Sequence, residues 1–380
     1  MIYMDHAATS PVSEIALEEM LRCYREGFGN PSAIYSAGQA AKNALEKARA
    51  RVGKALGAHS TEVFFTSGGT ESDNWVLEGI ARKKKRGHII TTAIEHNAVL
   101  RTAEHLEENG FTVTRLIPDH LGRILPGQLE EAIQPDTVLI SIMTANNVVG
   151  TIQDIPALAK VARAHHVPIH TDAVQAVGQI PVDIRKLGVD YLSLSAHKVE
   201  GPLGVGALIC RIPNMLPPLI FGGGQEKTRR SGTENVPGIV GMAAALEERV
   251  ERMEAETAHL TALRDRLIGG LTKIPGVCLT GDPEFRLPGL ASFAVESVAH
   301  STFIVNALNE RNVCVSSGSA CSASSKEASH VLEAMGYDER RARCALRFSL
   351  GPENTAEEVE QVLEIMPAVI EEQSRKGFEF

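Results

Sequence analysis

One feature of this 380-residue chain constrains its fold more than any other: short apolar runs alternate with segments of helical periodicity from about residue 37 onward. "AAKNALEKARARVGKAL" precedes "EVFFT", a helical stretch near 71–84 precedes "HIITTAI", and another near 97–109 precedes "TVTRLI". "TVLISIMT", the helical "IPALAKVARAHH", "VPIHTDA", "YLSLSA" and "GALICR" continue the series. Single helices between short strands predict right-handed crossovers and a mostly parallel sheet. The expectation is an α/β large domain over residues 16–255. The charged segment 241–272 has helical periodicity and reads as a bridge to a second unit. Beyond it "GLASFAVES", "VCVSSG", "ALRFSL" and a last helical run predict a smaller α+β domain, made of residues 256–380 together with 1–15.

Composition narrows the function classes. A net charge of −9 argues against nucleic acid as a direct partner, because such binding needs a basic face. The basic cluster Arg82–Arg86 sits where a helix would end before Gly87, which suits the helix dipole. No apolar run reaches the roughly 18 residues of a membrane span, and "MIYMDHAATS" lacks a signal peptide's basic and apolar regions, so the expected location is cytoplasmic. The histidines show no HExxH pattern and the six cysteines no CxxC pair, so neither a metal nor a disulfide framework is expected. Cys23, Cys210, Cys278, Cys314 and Cys344 read as small core residues; Cys321, in the Gly/Ser-rich "SSGSACSASS", does not.

Four stretches carry chemistry. In "LSLSAHKVEGPLGVG" an apolar strand delivers Lys198 to its tip, and a lysine held in a dry pocket becomes a nucleophile toward carbonyls. Lys198 is therefore a Schiff-base candidate, with a solvated strand-closing lysine as the alternative. "VFFTSGGTESDN" runs a buried strand into a Ser-Gly-Gly-Thr turn that opens a helix. Such a turn presents free backbone N–H groups to a phosphate, or simply caps the helix. Asp172 ends the strand of "VPIHTDAVQAVG" and needs a partner, which a pyridinium nitrogen or the next helix would supply. Gln175 follows one turn later. His96 in "TTAIEHNAV" also ends a strand, where an imidazole can stack on a flat ring or merely start a loop. All four sit at carboxyl ends of strands, the edge where parallel sheets bind ligands.

Together with "MDHAATSP", "NNVVGTIQDI", "GGGQEKTRRSGTENVPGIVG" and "RFSLG", these stretches resemble the pyridoxal-phosphate-dependent cysteine desulfurases, of the nitrogenase-type and housekeeping group within the class V aminotransferases. The motifs run in family order over nearly the whole chain. The resemblance implies fold type I of the pyridoxal-phosphate enzymes: a large domain with a mostly parallel seven-stranded sheet and a smaller α+β domain carrying the catalytic cysteine loop. It implies pyridoxal 5'-phosphate bound to Lys198, paired with Asp172, contacted by Gln175 and stacked on by His96. Gly69, Thr70, Ser195 and His197 would hold its phosphate, with Thr233 reaching in from the second subunit of a homodimer. Asn147 and Arg347 would bind the carboxylate of L-cysteine. Lys198 would move the Cα proton, and the Cys321 thiolate would attack the substrate sulfur, leaving L-alanine and a persulfide. A sulfur-acceptor protein, an iron–sulfur scaffold or a tRNA-thiolation enzyme, would take the sulfur onward.

Residue chemistry alone leaves alternatives beside this. Arg347 in an apolar strand needs an anion, whether a ligand or a structural partner. Other class V activities, selenocysteine lyase or a β-eliminating lyase, do not require a mobile loop cysteine, and a degenerate cofactor-binding partner protein would not need both Lys198 and Cys321. Two positions depart from the family pattern: Leu203 stands where a lysine is usual in "GPLGVG", and Pro352 where an arginine is common.

Overall fold

The computed structural model describes residues 1–213, 216–318 and 328–376. A two-residue strand, β1 (Ile2–Tyr3), opens the chain, and seven strands follow: β2 (Val63–Thr66), β3 (His88–Thr92), β4 (Thr112–Leu116), β5 (Thr137–Ser141), β6 (Ile169–Asp172), β7 (Tyr191–Ser195) and β8 (Gly206–Cys210). These seven form one sheet in the order β2-β8-β7-β6-β5-β3-β4. β8 runs antiparallel to both its neighbours, and the other pairs are parallel. The mostly parallel sheet expected from the alternation is therefore present. Apart from the half-buried Val138 of β5, its inner strands are buried, as a sheet covered by helices on both faces requires.

Four more strands complete the chain: β9 (Val277–Thr280), β10 (Leu290–Val295), β11 (Val313–Cys314) and β12 (Ala345–Ser349). β12, β10 and β9 make an antiparallel sheet in that order, while β11 pairs in parallel with β1. The N-terminus thus joins the C-terminal third of the chain. His6 extends this link, since its backbone N–H and its ring Nδ1 both lie 3.1 Å from the Ser349 carbonyl.

The 36-residue helix Val236–Leu271 runs through both cores. Asn235 caps it by accepting the Gly238 N–H, and Pro237 sits in the first turn, where its missing N–H costs no bond. Ile239, Met242 and Leu246 pack into the core of the seven-stranded sheet. Leu260, Leu263 and Leu267 pack into that of the three-stranded sheet. The basic cluster at 82–86 does end a helix, Gly69–Lys84, with Lys85 left-handed at its cap.

One core expectation is corrected. Cys23, Cys210 and Cys344 are buried, but Cys278 is exposed and Cys314 half-buried. Cys278 lies on the edge strand β9 between Val277 and Leu279, which pack on the core of the three-stranded sheet, so its own side chain faces away from that core and its apolar neighbours do not bring it inside. Among the described residues no helix is long and apolar enough to cross a membrane.

Candidate active site

Parallel strands that end together bring their following loops together, and here they enclose a cleft of about 360 Å³. Gly69, Thr70, His96, Asn147, Asp172, Gln175, Ser195, His197, Lys198 and Arg347 all line it. Thr233 does not. It lies in a neighbouring groove with Arg230, Gly232 and Ser67. Cys321 lies outside the described residues.

The turn after β2 is shaped by glycines. A Cβ on Gly206 of β8 would stand 2.6 Å from the Cα of Gly68, and one on Gly69 would stand 2.6 Å from Val174. Only hydrogen there lets β8 and the loop after β6 close on the turn. Ser67 donates both its backbone N–H and its hydroxyl to Glu71. Arg230 holds the same carboxylate through two contacts, at 2.8 and 3.1 Å. Burial works against the charge on Glu71, but the bonds from Arg230 and Ser67 prevail and hold its pKa below the usual range.

Lys198 follows β7 on a short turn and donates from Nζ to the carbonyls of Ala7 and Ala8, both at 2.6 Å. The same N-terminal segment grips the loop elsewhere: Ser10 Oγ donates to the His197 carbonyl at 2.8 Å, and His197 Nδ1 lies 3.2 Å from Thr9 Oγ1. Burial, reinforced by Lys198, pushes the His197 pKa down to about 4, so the ring is neutral at pH 7. Gln175 Nε2 donates to the Ala7 carbonyl at 3.0 Å.

Asp172, at the end of β6, is 6% exposed and accepts the Val174 N–H at 2.9 Å. Burial raises its pKa, and the charges of His96 and Lys198 oppose the rise. Two more buried acids stand near it. Burial and the Asp172 charge push Asp73 upward, and burial pushes Glu95 up to about 8 despite bonds from the Met143 N–H and the Thr92 hydroxyl.

His96 both lines the cleft and caps the helix Asn97–Glu108, its Nδ1 accepting the Ala98 N–H at 3.1 Å. Arg347 on β12 is 1% exposed. It meets Asp5 at 2.7 Å and donates to the Asn147 carbonyl at 2.7 Å, while its buried Nε has no hydrogen-bond partner among the described residues. Arg347 is therefore in the cleft wall and in an ion pair at once.

Residues 2–362 match the family described as Aminotransferase class-V. The chain belongs to the aminotransferase class-V family. Among similar members, a protein of Methanosarcina thermophila named cysteine desulfurase IscS is 48% identical over 97% of this chain and 92% of its own. A solved structure titled NifS-like protein superimposes with a TM-score of 0.91 at 41% identity, covering 97% of this chain and 99% of that one. Another, titled SspA in complex with cysteine, gives 0.82 at 38% identity, covering 93% and 100%. The mixed α/β fold with its mainly parallel sheet is the class-V fold.

Sequence reasoning singled out ten of the cleft's residues but gave no role to Ala7, Ala8, Glu71, Asp73 or His330. The stretch "MDHAATSP" was the available signal for the first two. Leu203, a departure from the family pattern, lies on the cleft rim with 71% of its surface exposed.

Proposed function

We propose that this chain is a cysteine desulfurase that converts L-cysteine to L-alanine and receives the sulfur on Cys321 as a persulfide. The observation carrying this reading is the convergence of Lys198, the buried Asp172, the Ser-Gly-Gly-Thr turn and Arg347 on one cleft.

These residues fit pyridoxal 5'-phosphate. Asp172 is a buried carboxylate needing a cationic partner, Lys198 supplies an amine at the same wall, and the turn is open to an anion because Gly68 and Gly69 carry no Cβ. When bound, the cofactor supplies an electron sink for charge developing at the substrate Cα. Lys198 would hold it covalently and carry the Cα proton. Asp172 would balance a protonated ring nitrogen, with Gln175 at the phenolic oxygen and His96 against the ring face. Gly69, Thr70, Ser195 and His197 would bind the phosphate. Arg347 and Asn147 would orient the carboxylate of L-cysteine.

The active unit in this reading is a homodimer, with Thr233 completing the partner's phosphate site. Its position outside its own chain's cleft supports that assignment, as does an exposed apolar row on the helix Glu14–Glu26 and the loop after it: Leu17, Leu21, Tyr24, Phe28, Ile34 and Tyr35. Residues 16–255 would act as the large domain, and residues 1–15 with 256–380 as the small one that carries Cys321. The persulfide would pass, in the cytoplasm, to an iron–sulfur scaffold or a tRNA-thiolation enzyme. Incubating the purified protein with L-cysteine and a reductant tests the central claim. Equal amounts of alanine and sulfide are expected, and alanine without sulfur on Cys321 or in solution overturns it.

A further inference from the structure

His6 is buried, and each of its ring nitrogens faces an oxygen. Nδ1 lies 3.1 Å from the Ser349 carbonyl, which can only accept, so Nδ1 carries a proton. Nε2 lies 2.7 Å from Oε1 of Glu353, which keeps half its side-chain surface in solvent. Partial burial works against the charge on Glu353, but the bond and charge of His6, with Arg249 adding to them, hold its pKa below the ordinary 4.5. At pH 7 it is a carboxylate and accepts from Nε2. Both ring nitrogens therefore donate, and His6 is an imidazolium paired with Glu353. The ring lies against the backbone of Gly351, where a Cβ would stand 2.2 Å from Nε2.

The residue after His6 begins the cradle of Lys198. The Ala7 N–H donates to Ser349 Oγ at 2.9 Å, while the Ala7 and Ala8 carbonyls each accept from Lys198 Nζ at 2.6 Å. His6, Ala7, Ser349 and Lys198 also line one cavity of only about 20 Å³, so a shift of the ring is felt at the amine. We propose that His6 and Glu353 are positioning residues: their ion pair fixes the two carbonyls that take up the positive charge of the Lys198 amine. The inference rests on the proposed function, in which Lys198 carries the Cα proton.

In that role Lys198 passes from a neutral amine to an ammonium as it takes the proton, and back as it gives the proton up. Two carbonyl dipoles already aimed at Nζ stabilise the charge as it develops and make the amine a stronger base. They do so only if held in place, since a dipole that must swing into line costs reorganisation at the moment of transfer. A backbone carbonyl cannot be substituted away, so the pair that holds it is the handle. Asp5, on the other side of His6, keeps its own ion pair with Arg347, which leaves the guanidinium anchored when the His6 pair is broken.

Glu353→Ala in the holoenzyme tests the proposal, because that side chain is half in solvent and its loss leaves the core intact. The probe is L-alanine in deuterated water: exchange of its Cα hydrogen, read by proton NMR, reports the Lys198 step without any sulfur chemistry. Exchange should fall about tenfold, with cofactor content unchanged and L-alanine affinity, read from the cofactor's absorbance, within about twofold of wild type. Gly351→Ala drives the ring off Glu353 while keeping both charges, and should slow exchange in the same way. Nitrogen NMR of histidine-labelled wild type should show both His6 ring nitrogens protonated at pH 7. Wild-type exchange in Glu353→Ala, even with a lowered melting temperature, makes the pair merely structural and overturns the proposal. So does a fall that only follows lost cofactor, or an NMR signature of a neutral His6 ring, which decides the matter even if the variants fail to fold. Each of these leaves the desulfurase reading standing. Wild-type enzyme that exchanges no Cα hydrogen, or Lys198→Ala enzyme that exchanges it as fast as wild type, overturns this inference together with the role of Lys198.

Discussion

Arg347 and Asp5, 342 positions apart in the chain, form an ion pair at 2.7 Å in the wall of the cleft. Part of the guanidinium's charge is thus balanced before any substrate arrives. Asp5→Asn keeps an acceptor and removes that charge, so binding of the anionic substrate should tighten several-fold, on the order of 1 kcal/mol, at some loss of thermal stability. Arg347→Ala should act oppositely and weaken binding by about 1.5–3 kcal/mol. An Asp5→Asn enzyme with unchanged KM would show that the pair leaves substrate binding untouched.

Lys198→Ala should abolish turnover and covalent cofactor attachment together. Borohydride reduction of wild type, followed by peptide mass spectrometry, should place the cofactor on Lys198. Its appearance on another lysine would remove the basis of the site assignment.

Cys321→Ser should separate binding from sulfur transfer. The cleft groups that hold cofactor and substrate are unaltered, so the spectral response to L-cysteine should persist. Sulfur transfer should stop, because an alkoxide is far harder to form than a thiolate. Sulfide release at the wild-type rate would rule out Cys321 as the nucleophile.

Glu95 gives a stability prediction. Its carboxyl is raised to about 8 in the folded protein, with burial as the main cause, and has an ordinary value near 4.5. Between those values the folded state holds a proton that the unfolded state has lost, so stability falls as pH rises across the window. The full effect is on the order of a few kcal/mol. Glu95→Gln cannot ionise and should lose less melting temperature between pH 6 and pH 9 than wild type. Parallel curves for the two proteins would refute the assignment.

Shared sites predict complementation. One inactive parent carries Lys198→Ala, the other Thr233→Glu, with Arg230 left in place because it holds Glu71 in its own chain's turn. In a mixed dimer one site collects every lesion, while the other has Lys198 from one chain and an intact 230–233 loop from its neighbour. Reassembling the parents together should restore up to half the wild-type activity per mixed dimer. Mixed dimers that form and stay inactive would place each site within one chain.

Much of the cleft was legible because its residues interrupt apolar strands with polar groups at one end: Asp172 after β6, Lys198 after β7 and the turn after β2. Strand period and turn chemistry are local signals. The partners of those residues are not local. Nothing around Arg347 in the sequence points to Asp5, and nothing around Lys198 points to the carbonyls of Ala7 and Ala8, because these contacts arise only when the two ends of the chain meet. His330 opens a short helix, an ordinary local role that points to no cleft. The exposure of Cys278 is not legible either, because apolar neighbours cannot tell an edge strand from a central one.

That meeting of chain ends bears on how the protein is made. Asp5 and His6 leave the ribosome long before Arg347 and Ser349, and find them only once those residues have been synthesised. Until then the segment that holds Lys198 has no counterpart across the cleft, and a nascent chain has no complete pocket in which to trap an aldehyde. On the proposed function, acquisition of the cofactor would be a late event in biogenesis, and chains stalled on the ribosome before residue 347 should emerge without it.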